Sequence, residues 1–124
     1  MAWTLDARLP LVIVGDAAEL DAALTDGPRA AVLAEAPPTP MPESAAALAS
    51  FDPFTPGHAG GCACCGGGRS PAAAALDRLF QARVRGACPW FERVVALAET
   101  PAARDAVVAA LREDAVTAAR FRAA

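Results

Sequence analysis

The stretch LPLVIVGD at residues 9–16 decides the fold class of this 124-residue chain. Six mostly apolar residues followed by Gly-Asp are typical of a buried parallel strand that leads into a helix capped by Asp16. Residues 17–26 carry leucines at helical spacing and end in the helix-stop signals of Asp26-Gly27-Pro28. A second short apolar run follows at Ala30–Ala34. The first 35 residues therefore predict a strand, a helix and a second strand joined by a right-handed crossover.

Further elements are predicted beyond residue 70. Ser70 as N-cap and Pro71 at the first helical position predict a helix that continues to Arg85. A third buried strand is predicted at residues 93–98 and a helix at residues 101–112, and the tail from 113 to 124 is also predicted as helix. We expect one α/β domain over residues 1–124, with a small parallel sheet of about three strands and flanking helices.

The apolar content is mostly alanine. Of the 68 hydrophobic residues, 34 are Ala, whereas Val, Ile, Leu and Phe together number 26. That number is about 21% of the chain, close to the ~20% at which disorder becomes the better expectation. We therefore expect a core with few large side chains and many alanines, and a small free energy of unfolding.

A long Pro- and Gly-rich loop is predicted over residues 37–70. The stretch from Pro37 to Pro71 contains seven of the 11 prolines and six of the nine glycines. Only residues 44–50 have the composition of a helix there. A long irregular segment in so small a domain is either a functional loop or partly disordered, and the cysteines near its end favour a functional loop.

The charge pattern excludes several classes of partner. The chain has no Lys, Tyr or Asn, and its 11 Arg are dispersed among 14 acidic residues, for a net charge of -3. Such a surface is not typical of nucleic-acid or anionic-membrane binding. No apolar run reaches the ~18 residues of a membrane span, and residues 1–6 do not resemble a signal peptide. We expect a soluble, cytoplasmic protein with neither kind of partner.

The cysteine cluster GGCACCGGG at residues 60–68 is the most specific motif. Cys62, Cys64 and Cys65 are too closely spaced for good disulfide pairing, and in a reducing compartment such a cluster indicates metal binding or redox chemistry. The flanking glycines permit the backbone to wrap an ion. Thiolates are preferred ligands of Zn²⁺ and Cu(I), so we expect zinc or another thiophilic ion. His58 is the candidate fourth ligand, although water or a partner protein could fill that position.

Other residues have alternative interpretations. We interpret Cys88 as a buried structural cysteine and place Trp90 and Phe91 in the core at the entrance of the third strand. Glu99 and Thr100 follow that strand, where α/β proteins place ligand-binding groups, although capping of the next helix also explains Thr100. A solvated charged face is predicted for four residues of the helix that begins at Pro71: Asp77, Arg78, Arg83 and Arg85.

From Gly61 to its end, the chain resembles the CobW-type metallochaperones, a family of P-loop GTPases. Their Gly-Cys-x-Cys-Cys motif is matched by Gly61-Cys62-Ala63-Cys64-Cys65, and their Phe-Asp-Arg-Ile-Val strand entry by residues 91–95. The Leu-rich helix resembles residues 76–85, and residues 120–122 are similar to an Arg-Tyr-Arg segment. The first 60 residues match only in the order of elements. The resemblance implies a partial P-loop-NTPase-like fold and a metal-binding role for the three thiols.

The departures from the family are specific. Gly15-Asp16-Ala17-Ala18-Glu19 stands where the phosphate-binding loop would carry its Lys and Thr, and the guanine-reading Asn-Lys-x-Asp cannot occur without Asn or Lys. The Glu-Thr-Thr-Gly motif is matched in part at best by Glu99-Thr100. We therefore expect a degenerate, truncated relative that is not an enzyme and does not hydrolyse GTP.

These observations predict a non-catalytic metal-binding protein that holds zinc through Cys62, Cys64, Cys65 and His58. Two alternatives stay open: a thiol redox protein that uses the same cysteines, and an interaction module for a full-length CobW-type GTPase. A short sheet with two edges also predicts a homodimer or a larger protein partner, with residues 93–98 or 101–112 as the contact surface.

Overall fold

The computed structural model of the chain describes residues 7–35, 42–53 and 70–124. Its elements, in chain order, are β1 (Leu9–Val14), α1 (Ala17–Thr25), β2 (Ala30–Ala34), β3 (Ala45–Ser50), α2 (Pro71–Arg85), β4 (Arg93–Leu97), α3 (Pro101–Glu113), α4 (Ala115–Arg120) and β5 (Phe121–Ala123).

The strands form one parallel sheet in the order β3-β2-β4-β1-β5. Helix α1 packs on one face, where Leu20 and Leu24 meet Val32, Val95 and Leu97. The opposite face carries the larger cluster, to which α2 and α3 contribute. The predicted α/β class and the parallel sheet with flanking helices are confirmed.

Alanine is the commonest residue of the core, as the composition predicts. Eleven of the 27 buried apolar residues in the described segments are alanine, and the others are leucine, valine and phenylalanine. Because Ala adds little volume, the helices can approach the sheet closely. Phe91 and Phe121 are the largest of the fully buried side chains and are 0% and 1% exposed.

The predicted number of strands in the sheet was wrong. The sheet has five strands in the described segments rather than about three, and the two additional strands lie at its edges. Residues 44–50, the only helix candidate of the predicted loop, contain the edge strand β3. Its sequence AAALAS favours helix by intrinsic propensity and has no alternation of polar and apolar residues. Pairing with β2 and burial of Ala49 override that preference.

The predicted helical tail was partly wrong. Residues 115–120 are helical, but Phe121–Ala123 form β5 beside β1. Phe121 lies opposite Leu9 and is buried, which gives the short strand its anchor. Residues 93–98 end as a strand one residue earlier than predicted, at Leu97.

Both predicted ends of α2 and the predicted start of α3 are confirmed, and α3 ends at Glu113, one residue later than predicted. The Ser70 hydroxyl accepts a hydrogen bond from Ala73 N at 3.2 Å, and Pro71 begins α2. Helix α2 ends at Gly86, whose φ of 70° is a left-handed conformation that glycine adopts without strain. Thr100 caps α3 in the same way as Ser70, with Ala103 N donating to its Oγ1 at 3.1 Å.

No helix in residues 7–35, 42–53 and 70–124 is long and apolar enough to cross a membrane.

Candidate functional site

The carboxyl edge of the sheet contains a cleft between the ends of β1 and β4. The chain leaves β1 toward α1 on one face and leaves the adjacent β4 toward α3 on the other face. Crevices of this kind are where open parallel sheets bind ligands. The cleft has a volume of about 370 Å³ and is lined by Gly15, Ala98, Glu99, Thr100, Pro101, Arg104 and Asp105.

Acidic side chains occupy the turn after β1. Asp16 caps α1, accepting a hydrogen bond from Glu19 N at 2.8 Å. Glu19 reaches back, and its Oε1 accepts from Gly15 N at 3.3 Å. A Cβ on Gly15 would lie 3.2 Å from that oxygen, so the glycine permits the close approach. The Gly15 amide, just before α1, is therefore directed at a carboxylate of the chain itself.

A second carboxylate occupies the turn after β4. Glu35 directly follows β2, and its Oε1 accepts hydrogen bonds from the backbone N–H groups of Glu99 at 2.5 Å and Thr100 at 2.8 Å. Its Oε2 accepts from Thr100 Oγ1 at 2.9 Å. Three donors that converge on one carboxylate form an anion site that the chain fills itself.

Sequence reasoning placed Glu99 and Thr100 correctly at this edge but did not identify Glu35. Thr100 caps α3 and donates to Glu35, so both of its polar roles hold the turn together. The Glu99 side chain is exposed and lines the cleft. The signal for Glu35 was present in the sequence, since it is an acid placed immediately after the buried run Ala30–Ala34.

The predicted metal ligands His58, Cys62, Cys64 and Cys65 lie outside the described residues, as does most of the predicted loop. The described chain stops after β3, at Pro53, and resumes at Ser70, the N-cap of α2. In the described part, no group of three or more His, Cys, Asp or Glu side chains could hold a metal ion.

The amino edge of the sheet carries the remaining predicted residues. Phe91 is fully buried, as predicted, but the prediction for Trp90 was wrong because its side chain is 59% exposed. The indole stacks on Arg83, whose guanidinium carbon lies 3.4 Å from the ring centroid. Cys88 is a free thiol and is only partly buried, contrary to the predicted fully buried cysteine.

The predicted solvated face of α2 is in large part engaged in contacts. Arg83 Nε donates to Phe91 O at 2.7 Å, and Arg78 Nη2 donates to Ser50 O at 2.9 Å. Desolvation by burial lowers the pKa of Arg83, although the nearby Glu92 and Cys88 act in the opposite direction. Asp77 pairs with Arg120 at 2.5 Å, and both side chains are partly buried. Asp77, Arg78 and Arg83 therefore make contacts within the fold, whereas Arg85 is exposed, as predicted.

Comparison with known proteins gives no relative. No family model matches the chain, and no curated protein or solved structure matches it. The resemblance to CobW-type proteins therefore stays a prediction from the motif at residues 61–65 and the segments that follow it.

Proposed function

We propose that this protein binds a thiophilic metal ion, most simply Zn²⁺, through the thiolates of Cys62, Cys64 and Cys65, with His58 as the fourth ligand. The observation that carries the proposal is the donor set: three thiols within four residues and a histidine four residues earlier. Three thiolates and one imidazole form a common four-ligand set for structural zinc. When bound, zinc would crosslink the segment between β3 and α2.

The position of that segment in the chain supports the proposal. Strand β3 runs toward the carboxyl edge of the sheet, and α2 begins at this edge, because its connection to the parallel strand β4 must return to the opposite edge. The two ends of the cysteine-bearing segment therefore start from one edge. Several acidic residues of the described chain lie at or near it, among them Asp16, Glu19, Glu35, Glu99 and Asp105, and Arg104 lies in the same cleft. The excess of negative charge at this edge attracts cations more than anions.

We further propose that the protein neither binds nor hydrolyses nucleoside triphosphates. Glu19 and Glu35 accept from the backbone amides that phosphate oxygens would otherwise use. A triphosphate would have to displace or approach these negative charges without a lysine to compensate them. The chain would then be a degenerate CobW-type domain with a partial P-loop-NTPase-like fold, in which the metal-binding motif persists without catalysis.

A cytoplasmic location belongs to the same proposal. Thiolate ligands require reduced cysteines, and the cytoplasm keeps thiols reduced.

The test is elemental analysis of untagged protein purified under reducing conditions. We expect about one zinc per chain, and loss of that zinc in the triple variant Cys62→Ser, Cys64→Ser, Cys65→Ser. Cys88→Ser is the matched control and should retain the metal, because Cys88 lies at the opposite edge of the sheet.

Equal zinc in the wild type and the triple variant would reject the assignment. Metal-free protein whose cysteines form a disulfide reversibly would favour the redox alternative. His58→Ala should weaken zinc binding if the imidazole is the fourth ligand, and unchanged affinity would exclude it.

A further inference from the structure

The outer surface of α3 faces solvent and has a regular pattern. Pro101, Arg104, Asp105, Val108 and Arg112 follow one another at the spacing of a single helical face, and all five are exposed. Val108 is a large apolar residue with 36% exposure, and it lies in a shallow cavity of about 390 Å³ lined by Asp105, Val108, Ala109, Arg112 and Glu113. The core-facing side of the same helix buries Ala103, Val107 and Ala110.

Two opposite charges lie along the middle of this face. Asp105 precedes Val108 by three residues, and Arg112 follows Ala109 by three residues, so the two charges are placed symmetrically about the point between Val108 and Ala109. The structure gives these two side chains no hydrogen bond or ion pair within the residues that it describes.

We propose that α3 is the contact surface for a second copy of this chain, packed antiparallel about a two-fold axis between Val108 and Ala109. In that arrangement, residues at equal distances on either side of the axis oppose each other when they lie on the same line along the helix. Asp105 and Arg112 are seven residues apart and lie on such a line, so Asp105 meets Arg112 of the partner subunit. The symmetry repeats the contact, so two opposite-charge pairs form.

The centre of the contact suits close helix packing. Val108 lies beside Val108 of the partner subunit and Ala109 beside Ala109 of the partner subunit, because the two positions are on opposite sides of the midline. These small side chains permit an interaxial distance of ~8 Å, at the short end of the range for packed helices. Asp105 and Arg112 lie near the middle of the face.

The strand alternative for the contact surface was wrong. Residues 93–97 form β4, which is paired with β2 on one side and with β1 on the other. A central strand has no free edge for a partner. Of the outer strands, β3 is irregular beside β2, and Arg78 donates to the carbonyl of Ser50 at its end.

The size of the α3 face sets the strength of the dimer. A contact confined to one 13-residue helix is smaller than a standard interface, so we expect a weak association with a Kd on the order of 100 µM. The exposed ion pairs make it salt-dependent, because the Debye length at 0.15 M salt is only ~8 Å.

Charge reversal with sedimentation equilibrium tests the proposal. Asp105→Arg and Arg112→Asp should each weaken self-association by about tenfold or more, since each replaces two attractions by two repulsions. An equimolar mixture of the two single variants should form a heterodimer, because all of their facing charges are again opposite. The double variant should dimerise within about threefold of wild type.

The control is Asp21→Arg on α1, which makes the same charge change on an exposed residue away from the α3 face. It should leave the wild-type Kd unchanged, and circular dichroism should show every variant folded. A wild-type chain that stays monomeric up to about 1 mM, ten times the expected Kd, would overturn the proposal. A dimer that is indifferent to Asp105→Arg, or single variants that do not recover on mixing, would overturn it equally.

Discussion

The two edges of the sheet differ in the charge of the side chains that bind backbone groups there: carboxylates at the carboxyl edge and a guanidinium at the amino edge. At the carboxyl edge, the carboxylates of Glu19 and Glu35 accept hydrogen bonds from backbone N–H groups. At the amino edge, Arg93 donates to the carbonyls of Ala23, Asp26 and Pro28, each at 2.7 Å. Helices α1, α2 and α3 begin at the carboxyl edge, where the first N–H groups of a helix lack helical partners, and α1 and α2 end at the amino edge, where the last carbonyls lack them. This chain satisfies N–H groups at one edge and carbonyls at the other with its own side chains. At the carboxyl edge, these hydrogen bonds of Glu19 and Glu35 connect the turns after β1 and β4 to neighbouring parts of the chain.

Replacement of Arg93 should have the largest effect on stability, and it tests the hydrogen bonds at the amino edge. Its guanidinium ties the end of α1 and the following turn to the start of β4 through three hydrogen bonds. Arg93→Met keeps much of the aliphatic volume but removes every donor, and we expect it to lower the free energy of unfolding by about 2–3 kcal/mol. Urea denaturation measures this loss. A change below about 0.5 kcal/mol, the scale of an ordinary surface substitution, would show that the carbonyls are equally satisfied by water.

Replacement of Glu35 tests the hydrogen bonds at the carboxyl edge in the same way. Glu35→Ala removes the acceptor for Glu99 N, Thr100 N and Thr100 Oγ1, and we expect a loss of about 1–2 kcal/mol in the free energy of unfolding. Glu35→Gln keeps one oxygen for the two amides and should lose less. Equal losses for Ala and Gln would contradict the assigned hydrogen bonds, and urea denaturation of the two variants makes the comparison.

Glu19 should have the smallest effect of the three. Its hydrogen bond to Gly15 N is long at 3.3 Å and exposed, and its charge lies in the first turn of α1. Glu19→Ala should cost about 0.5 kcal/mol, because it removes a favourable interaction with the helix dipole and one weak hydrogen bond. Thermal unfolding in low and high salt checks this assignment, since the cost should shrink as salt increases. A loss as large as that of Glu35→Ala would mean that the turn after β1 is held mainly by this side chain.

The elements that were predicted correctly are those that depend on local sequence signals. The apolar run 9–14, the Ser70-Pro71 start of α2 and the Thr100-Pro101 start of α3 are local signals, and each element lies where it was predicted. Strand β3 was missed because its alanines carry no periodicity, and only pairing with β2 makes it a strand.

The roles of Glu35 and Arg93 were not predicted because both side chains form hydrogen bonds with residues far away in the sequence. Glu35 reaches Thr100, 65 residues away, and Arg93 reaches Pro28 over the same separation. Spacing within one element cannot reveal such contacts. Trp90 was assigned to the core from its type and position, whereas Phe91 takes the buried place and Arg83 stacks on the exposed indole. The predicted thiol ligands rest on their spacing in the sequence and on the family resemblance, and they lie outside the described residues, so their test must be chemical.

The most direct test of the proposed function is a zinc titration of the untagged, reduced, metal-free chain by calorimetry, followed by a separate titration of GTP and Mg²⁺ into the zinc-free chain. The account predicts about one tight zinc site per chain. It also predicts no binding heat for GTP, since Glu19 and Glu35 accept hydrogen bonds from amides that a triphosphate would need. Absence of a tight zinc site would contradict the thiolate assignment. GTP binding with micromolar affinity would contradict the proposal that the carboxyl edge does not bind nucleotides.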